Sequence, residues 1–315
     1  MTTLDRAGRP VLAGIEGRGT EFHCVLGSGP EDIRASAAFP VTTPEATLAA
    51  VTGFVRAAQP RLGPVAAVGI ACFGPLDLRP GSPGYGRLTS PLAPAWQGFD
   101  LVGAVRRELP VPVVLETDVN AAAVAERAAG AGRGRDQLAF VTIGTGTGIG
   151  AGVLVDGRPV HGRTHPEMGH LPVARHPSDR LPGLCPHHRD CLEGLAKSAA
   201  LARRWQLPVT ELGSLPEPAI RLEAWYLAQL VTALTYLFSP ELVVVDGAVP
   251  ALPGMLAALR AETRARLGGD PAVAWITGAV EGYLVGSGLA GPPAATGALA
   301  LARQLVDDVH DSKLP

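Results

Sequence analysis

The chain has 315 residues and a near-even charge balance, 27 Lys plus Arg against 29 Asp plus Glu, which excludes a broadly basic nucleic-acid-binding surface and argues against adsorption to an anionic membrane. A hydrophobic fraction of 47% with 18% charged residues describes a folded chain, long enough to bury its own core. No apolar run approaches the ~20 residues of a membrane helix, and Asp5, Arg6 and Arg9 interrupt the start before a signal peptide can form, so the cytoplasm is the expected location.

Residues 11–16 are an apolar run that ends in Gly17-Arg18-Gly19-Thr20, and residues 22–26 are a second. The pattern predicts strand, glycine turn, strand. Thr43-Pro44-Glu45 then offers a helix start, with Leu48, Val51, Phe54 and Val55 at helical spacing. Residues 65–72 read as a strand. Residues 73–98 form a long Pro/Gly-rich loop with Tyr85 and Trp96, and a loop of that length with aromatic residues is expected to be functional. Residues 111–116 are a buried-type strand and 119–129 an Ala-rich helix. Strands at 138–143 and 149–155 flank a second glycine turn, Gly144-Thr145-Gly146-Thr147-Gly148. Segments 11–27 and 138–155 therefore share one device, a weak internal duplication. Residues 161–191 are an irregular loop rich in His, Pro, Arg and Gly. Helices are predicted at 192–205, 219–238, 255–267 and 294–306, and a strand at 242–245 runs into Asp246-Gly247. Strands alternating with helices give an α/β fold.

Three constellations carry chemistry. In the glycine turns, backbone N–H groups can approach phosphate oxygens closely, and Thr20, Thr145 and Thr147 can add hydroxyl donors. Neither turn has the spacing of a P-loop or a dinucleotide-binding turn; the bland alternative is a pair of hairpins. Asp118 stands between a strand end and a helix start. It is either a helix N-cap or a carboxylate that accepts a proton from a sugar hydroxyl attacking phosphorus. Finally, His170, Cys185, His188 and Cys191 offer two imidazoles and two thiolates, the set for a closed, structural zinc site. His187 competes with His188, and the bland reading is a His-rich surface loop with reduced thiols.

Taken together, these motifs resemble the ROK sugar kinases, in particular their bacterial fructokinase-like branch, over nearly the whole chain. The matching segments are Gly14-Ile15-Glu16 with Gly19-Thr20, Phe73 through Leu78, Ser82 through Gly86 with Thr89-Ser90, and Thr117 through Ala122. Gly144 through Gly150, His165 through His170, and Cys185 through Leu195 continue the series in order. The resemblance implies a two-lobe actin/hexokinase (ribonuclease H-like) α/β fold with a zinc-binding loop. One lobe would span 1–117, joined by a C-terminal helix at about 294–308. The other would span 118–293, with the zinc loop at 165–193. It implies ATP-dependent transfer of a phosphoryl group to a hexose with Mg²⁺, fructose at its 6-hydroxyl being the expected acceptor. Asp118 would be the base and hold the sugar with Glu167, His170 and Glu193. Gly17, Gly19, Thr20, Gly144, Thr145, Gly146, Thr147, Gly148 and Gly247 would line the ATP site. Zinc would sit on His170, Cys185, His188 and Cys191, so His170 would serve metal and sugar together. A homodimer is implied, with no nucleic-acid or membrane partner. Glu21 stands where the resemblance implies Lys, and Arg18 where it implies Gly; Ala93 replaces a second Lys. Those changes carry the rival reading of a sugar-binding pseudokinase. A kinase for another hexose is a further alternative. A sugar-responsive repressor is disfavoured, since no DNA-binding extension precedes residue 11.

Overall fold

An apolar run with no polar alternation needs cover on both faces. Strand β1 (Val11–Gly17) has it, with every residue buried. The computed structural model describes residues 8–89, 94–144 and 148–311. Strand β2 (Glu21–Gly29) pairs antiparallel with β1, Ile15 opposite Cys24. An edge strand that the sequence pattern did not announce, β3 (Asp32–Pro40), comes next. Helix α1 (Pro44–Leu62) starts as expected, Thr43 Oγ1 accepting from the Ala46 N–H at 3.3 Å. Strand β4 (Val65–Cys72) lies parallel to β1. After α2 (Leu101–Glu108), strand β5 (Val113–Thr117) lies parallel to β4 and runs straight into α3 (Asp118–Ala129).

The second sheet is built from β6 (Leu138–Ile143), β7 (Ile149–Val155), β8 (Arg158–Pro159), β9 (Leu242–Asp246) and β10 (Leu284–Gly286). Its helices are α4 (Leu192–Ala196), α5 (Ser198–Trp205), α6 (Glu217–Phe238), α7 (Met255–Leu267), α8 (Ala274–Thr277) and α9 (Val280–Tyr283). The helix expected at 192–205 is two helices, because Lys197 takes an extended conformation with ψ 155°. The final helix is α10 (Pro293–Asp311).

Strand order is β3-β2-β1-β4-β5 in one sheet and, read from the other edge, β8-β7-β6-β9-β10 in the second. Each has an antiparallel hairpin, β1–β2 or β6–β7, beside a parallel strand, β4 or β9. The duplication suspected from two glycine turns is thus a repeated sheet topology.

One compact unit contains residues 1–133, 159–165 and 289–315, and the other 134–158 and 166–288. Helix α3 lies in the first unit rather than the lobe expected to begin at residue 118, because it packs on α10: the Cβ of an alanine at position 297 would lie 1.8 Å from Ala121 O. Alternation along β1 divides the core. Leu12 joins Ala295, Leu299 and Ala302 of α10, while Ile15 joins Val51 and Val55 of α1. Burying each large aliphatic side chain here stabilises by ~1.5–3 kcal/mol.

Trp96, expected in a functional loop, is instead core: it is 3% exposed and stacks on Phe22 at 5.0 Å. Residues 90–93, including Ala93, lie outside the described residues. Among the described residues, no helix is long and apolar enough to cross a membrane.

Glu223 on α6 is fully buried, and both its carboxylate oxygens lack partners among the described residues. Burial pushes its carboxyl well above the ordinary 4.5, Arg204 opposing and Asp179 adding. A folded value above the unfolded one means stability is whole below pH 4.5 and is lost as pH rises toward the folded value. Glu223→Met should therefore stabilise by about 1–3 kcal/mol at pH 8, and much less at pH ~4. Thermal melts of both proteins across that range check this; equal melting temperatures at pH 8 would contradict it.

Candidate active site and metal centre

Parallel register places Gly17, Cys72 and Thr117 in one row at the carboxyl edge of the first sheet. Arg18, next after β1, and Asp118, next after β5, therefore leave the sheet at the same edge. Carboxyl edges of parallel strands are where open α/β sheets place ligands.

Thr117 settles the capping question. Its Oγ1 accepts from the Asn120 N–H at 3.3 Å, so Thr117, not Asp118, is the N-cap of α3. Asp118 is the first helical residue, with Oδ1 accepting from the Val119 N–H at 2.9 Å. Behind it, the buried Glu116 accepts from the Thr117 N–H at 2.7 Å and from Asn120 Nδ2 at 3.1 Å.

The first glycine turn closes through the Arg18 N–H donating to Glu21 O at 2.9 Å. The Arg18 Nε donates to Glu16 Oε1 at 2.6 Å, and its Nη1 lies 3.9 Å from Glu21 Oε1. Burial pulls the Arg18 guanidinium down, but the Glu16 hydrogen bond and the charges of Glu16, Glu21 and Asp118 hold it above its usual value. Glu21 Oε1 also lies 2.8 Å from His23 Nε2. Glu16 is 4% exposed, and its Oε2 has no partner among the described residues. Gly19 and Thr20 lie in this turn, and Thr20 O accepts from the Val41 N–H at 2.9 Å.

In the second unit, the Gly144 N–H donates to Gly148 O at 3.3 Å. Thr145, Gly146 and Thr147 lie outside the described residues. Gly148 has φ +84°, a conformation that favours glycine, and a Cβ there would lie 2.2 Å from Glu193 Oε2, so a larger residue would displace that carboxylate. The Glu193 carboxylate also accepts from the Ile149 N–H at 3.3 Å. Gly247 leaves β9 at the same edge, since Thr142 lies opposite Asp246.

His170, Cys185, His188 and Cys191 bring their ligand atoms within 4.8 Å of one another. His170 Nδ1 lies 3.7 Å from Cys185 Sγ and 3.5 Å from Cys191 Sγ, and His188 Nδ1 lies 3.8 Å from Cys185 Sγ. Zn–S of about 2.3 Å and Zn–N of about 2.0 Å at tetrahedral angles require S···N separations of about 3.6 Å. The donor set and spacing therefore fit a tetrahedral thiophilic ion. His188 rather than His187 completes the cluster. His170 turns Nδ1 to the thiols, which leaves Nε2 for another partner. Glu167 precedes this turn; it is exposed at its surface, yet the protein atoms around its carboxyl and the Glu193 charge push it up, His170 opposing. Asp118 belongs to the first unit and Glu167, His170 and Glu193 to the second.

Residues 12–304 match the sequence pattern of the ROK family. The chain belongs to the ROK family. It is 40% identical over 292 residues to a fructokinase of Zymomonas mobilis, covering 91% of this chain and 95% of that one. It is 35% identical to a fructokinase of Streptococcus mutans, covering 92% and 97%. Among solved structures it is similar to the ROK hexokinase of Thermus thermophilus, with TM-score 0.76, 27% identity, and coverage of 95% and 99%. Its fold is thus the two-lobe α/β sugar-kinase fold of ROK proteins. Glu116, Asn120 and His161 meet beside the Asp118 turn, and reading the sequence alone assigns none of them a role. A lone Glu one residue from a strand end carries no signal of its own, and His161 acquires meaning only through a contact 45 residues away.

Proposed function

We propose that this ROK protein is a cytoplasmic, ATP-dependent fructokinase that converts fructose and ATP to fructose 6-phosphate and ADP. The observation that carries the reading is the β5–α3 elbow. Thr117 caps α3, which leaves the Asp118 side chain out of the capping role and supports reading it as the proton acceptor. The fructokinase relatives at 40% and 35% identity support the substrate. Asp118 takes the proton of the sugar hydroxyl as its oxygen attacks the γ-phosphorus of ATP, and ADP leaves. Glu167, His170 and Glu193 hydrogen-bond other hydroxyls, His170 through Nε2. Gly17, Gly19, Thr20, Gly144, Thr145, Gly146, Thr147, Gly148 and Gly247 hold the nucleotide. Zinc is structural, on His170, Cys185, His188 and Cys191. The unpartnered, buried Glu16 Oε2 suits a hard oxygen-seeking cation, so Glu16 would help to hold Mg²⁺, which neutralises phosphate charge. ADP release measured across a panel of hexoses tests the substrate. The highest kcat/KM should belong to fructose; a clear preference for another hexose would overturn that part.

The pseudokinase reading rests on Arg18, Glu21 and Ala93, of which Ala93 lies outside the described residues. The paired geometry of Glu21 works against it: Glu21 faces His23 and Arg18, and Arg18 supplies the charge. Arg18→Ala should raise the ATP KM by about tenfold, as expected for a lost charge-assisted contact. Glu21→Lys should not lower it, because the new ammonium would stand beside a guanidinium. Steady-state ATP titrations read both values; an unchanged KM in Arg18→Ala would remove Arg18 from the site.

The implied homodimer is proposed through the end of α6, where Tyr236 is 50% and Leu237 72% exposed. Sedimentation velocity should give twice the chain mass, and Leu237→Glu should halve it. A monomer for the unmodified chain would refute the dimer.

A further inference from the structure

The turn that bears Asp118 is tied on its far side by a second group of residues. Glu116, with a side chain only 7% exposed, uses Oε1 to accept from two donors of the same turn, the Thr117 N–H and Asn120 Nδ2. Its other oxygen, Oε2, lies 2.8 Å from His161 Nε2. Asn120, fully buried, places Nδ2 3.5 Å from His165 Nδ1. Both histidines stand 45 residues along the chain from their partners. They come from segment 159–165, which groups with the first unit although the chain on either side belongs to the second.

We propose that Glu116 is a positioning residue for Asp118, and that His161 is the counter-ion that holds Glu116 in place. The proposal rests on the reading of Asp118 as the base. Geometry is one ground for it. A rotation of the β5–α3 elbow that moved the Asp118 carboxylate would break both bonds to Glu116 Oε1, and Glu116 itself cannot follow while Oε2 is held by His161. Electrostatics is the other. Glu116 puts a second negative charge two residues from the base, and a protonated His161 cancels it. Consistent with this, the hydrogen bond to Glu116 raises the His161 imidazole above its ordinary value, partial burial opposing and the Glu116 charge adding. Among the described residues, Tyr85 feels the charges of Glu116 and Arg106, while Asp118 and His165 lie at the same turn. Of these, Arg106 is engaged with Val113 O at 3.3 Å.

Glu116→Gln keeps the size of the side chain and an oxygen for Thr117 and Asn120, so it should fold; it removes the charge and turns the acceptor that faces His161 into an N–H donor. Two readouts on the full-length protein separate the possibilities. In an NMR titration, the His161 imidazole should lose its upward displacement in Glu116→Gln; an unmoved titration would overturn the ion pair whatever the activity. In steady-state kinetics with fructose and ATP, Glu116→Gln should lower kcat by about tenfold with the fructose KM within about twofold, the pattern for a misplaced base with intact binding. His161→Ala should lower kcat similarly, and His161→Gln, which keeps an N–H donor, should recover most of it. Wild-type kcat in both Glu116→Gln and His161→Ala would overturn the positioning role. The reading of Asp118 fails on a different result, a wild-type turnover in Asp118→Asn.

Discussion

Asp118→Asn should lower turnover by ~10²–10⁴-fold, the usual cost of removing a general base, while the protein melts as wild type does. The retained stability comes from the local structure. Thr117, not Asp118, caps α3, and the Asp118 side chain accepts from the Val119 N–H at 2.9 Å through an oxygen that an amide also has. What the amide lacks is the capacity to take a proton. A coupled ADP-release assay reads the rate, and circular dichroism with a thermal melt reads the fold. Calorimetric titration with fructose should still detect binding, because Glu167, His170 and Glu193 are untouched. Near wild-type turnover would mean that the carboxylate does not act as the base.

Cys191→Ser should reduce zinc from one per chain to a small fraction and lower the melting temperature by about 5–10 °C, since a structural metal couples binding to folding. Cys191 is 2% exposed, and its sulfur is one of two that face His170 Nδ1. A serine hydroxyl is a poor substitute for a thiolate on zinc. The same change should raise the fructose KM, because His170 loses the ion that fixes its ring and directs Nε2 outward. His187→Ala, by contrast, should leave the zinc content alone, since His188 completes the cluster. Metal analysis of the freshly purified protein, with thiol titration, checks the claim. No zinc in the wild type and both thiols freely reactive would remove it.

Buried parallel strands were legible because they are written as unbroken apolar runs: β1, β4 and β5 each announce themselves within one or two residues. Strand β3 was not, because Asp-Ile-Arg-Ala-Ser-Ala-Ala-Phe carries one β-branched residue and an exposed face, which is what an edge strand needs and what a search for buried strands passes over. The break at Lys197 was invisible for the reverse reason: the helical pattern runs through it, and the extended backbone there depends on tertiary context, with Ser198 Oγ donating to Gly144 O at 2.9 Å. Trp96 looked like a ligand-binding aromatic because it sits in a long loop, yet the loop folds it onto Phe22. The Cys/His cluster could be picked out because its four residues lie within 22 positions of chain and their donor types are distinctive. The Glu116–His161 pair could not, because no local spacing links residues that meet only after β5 and segment 159–165 are in place.

The decisive measurement for the proposed reaction is phosphorus NMR of the purified protein incubated with fructose, ATP and Mg²⁺. ADP and a phosphomonoester on the fructose 6-hydroxyl should form in equal amounts, and both should form at least ~10²-fold more slowly when Asp118→Asn replaces the wild type. ATP left intact in the presence of fructose, or ADP accompanied by inorganic phosphate and no sugar phosphate, would contradict the assignment.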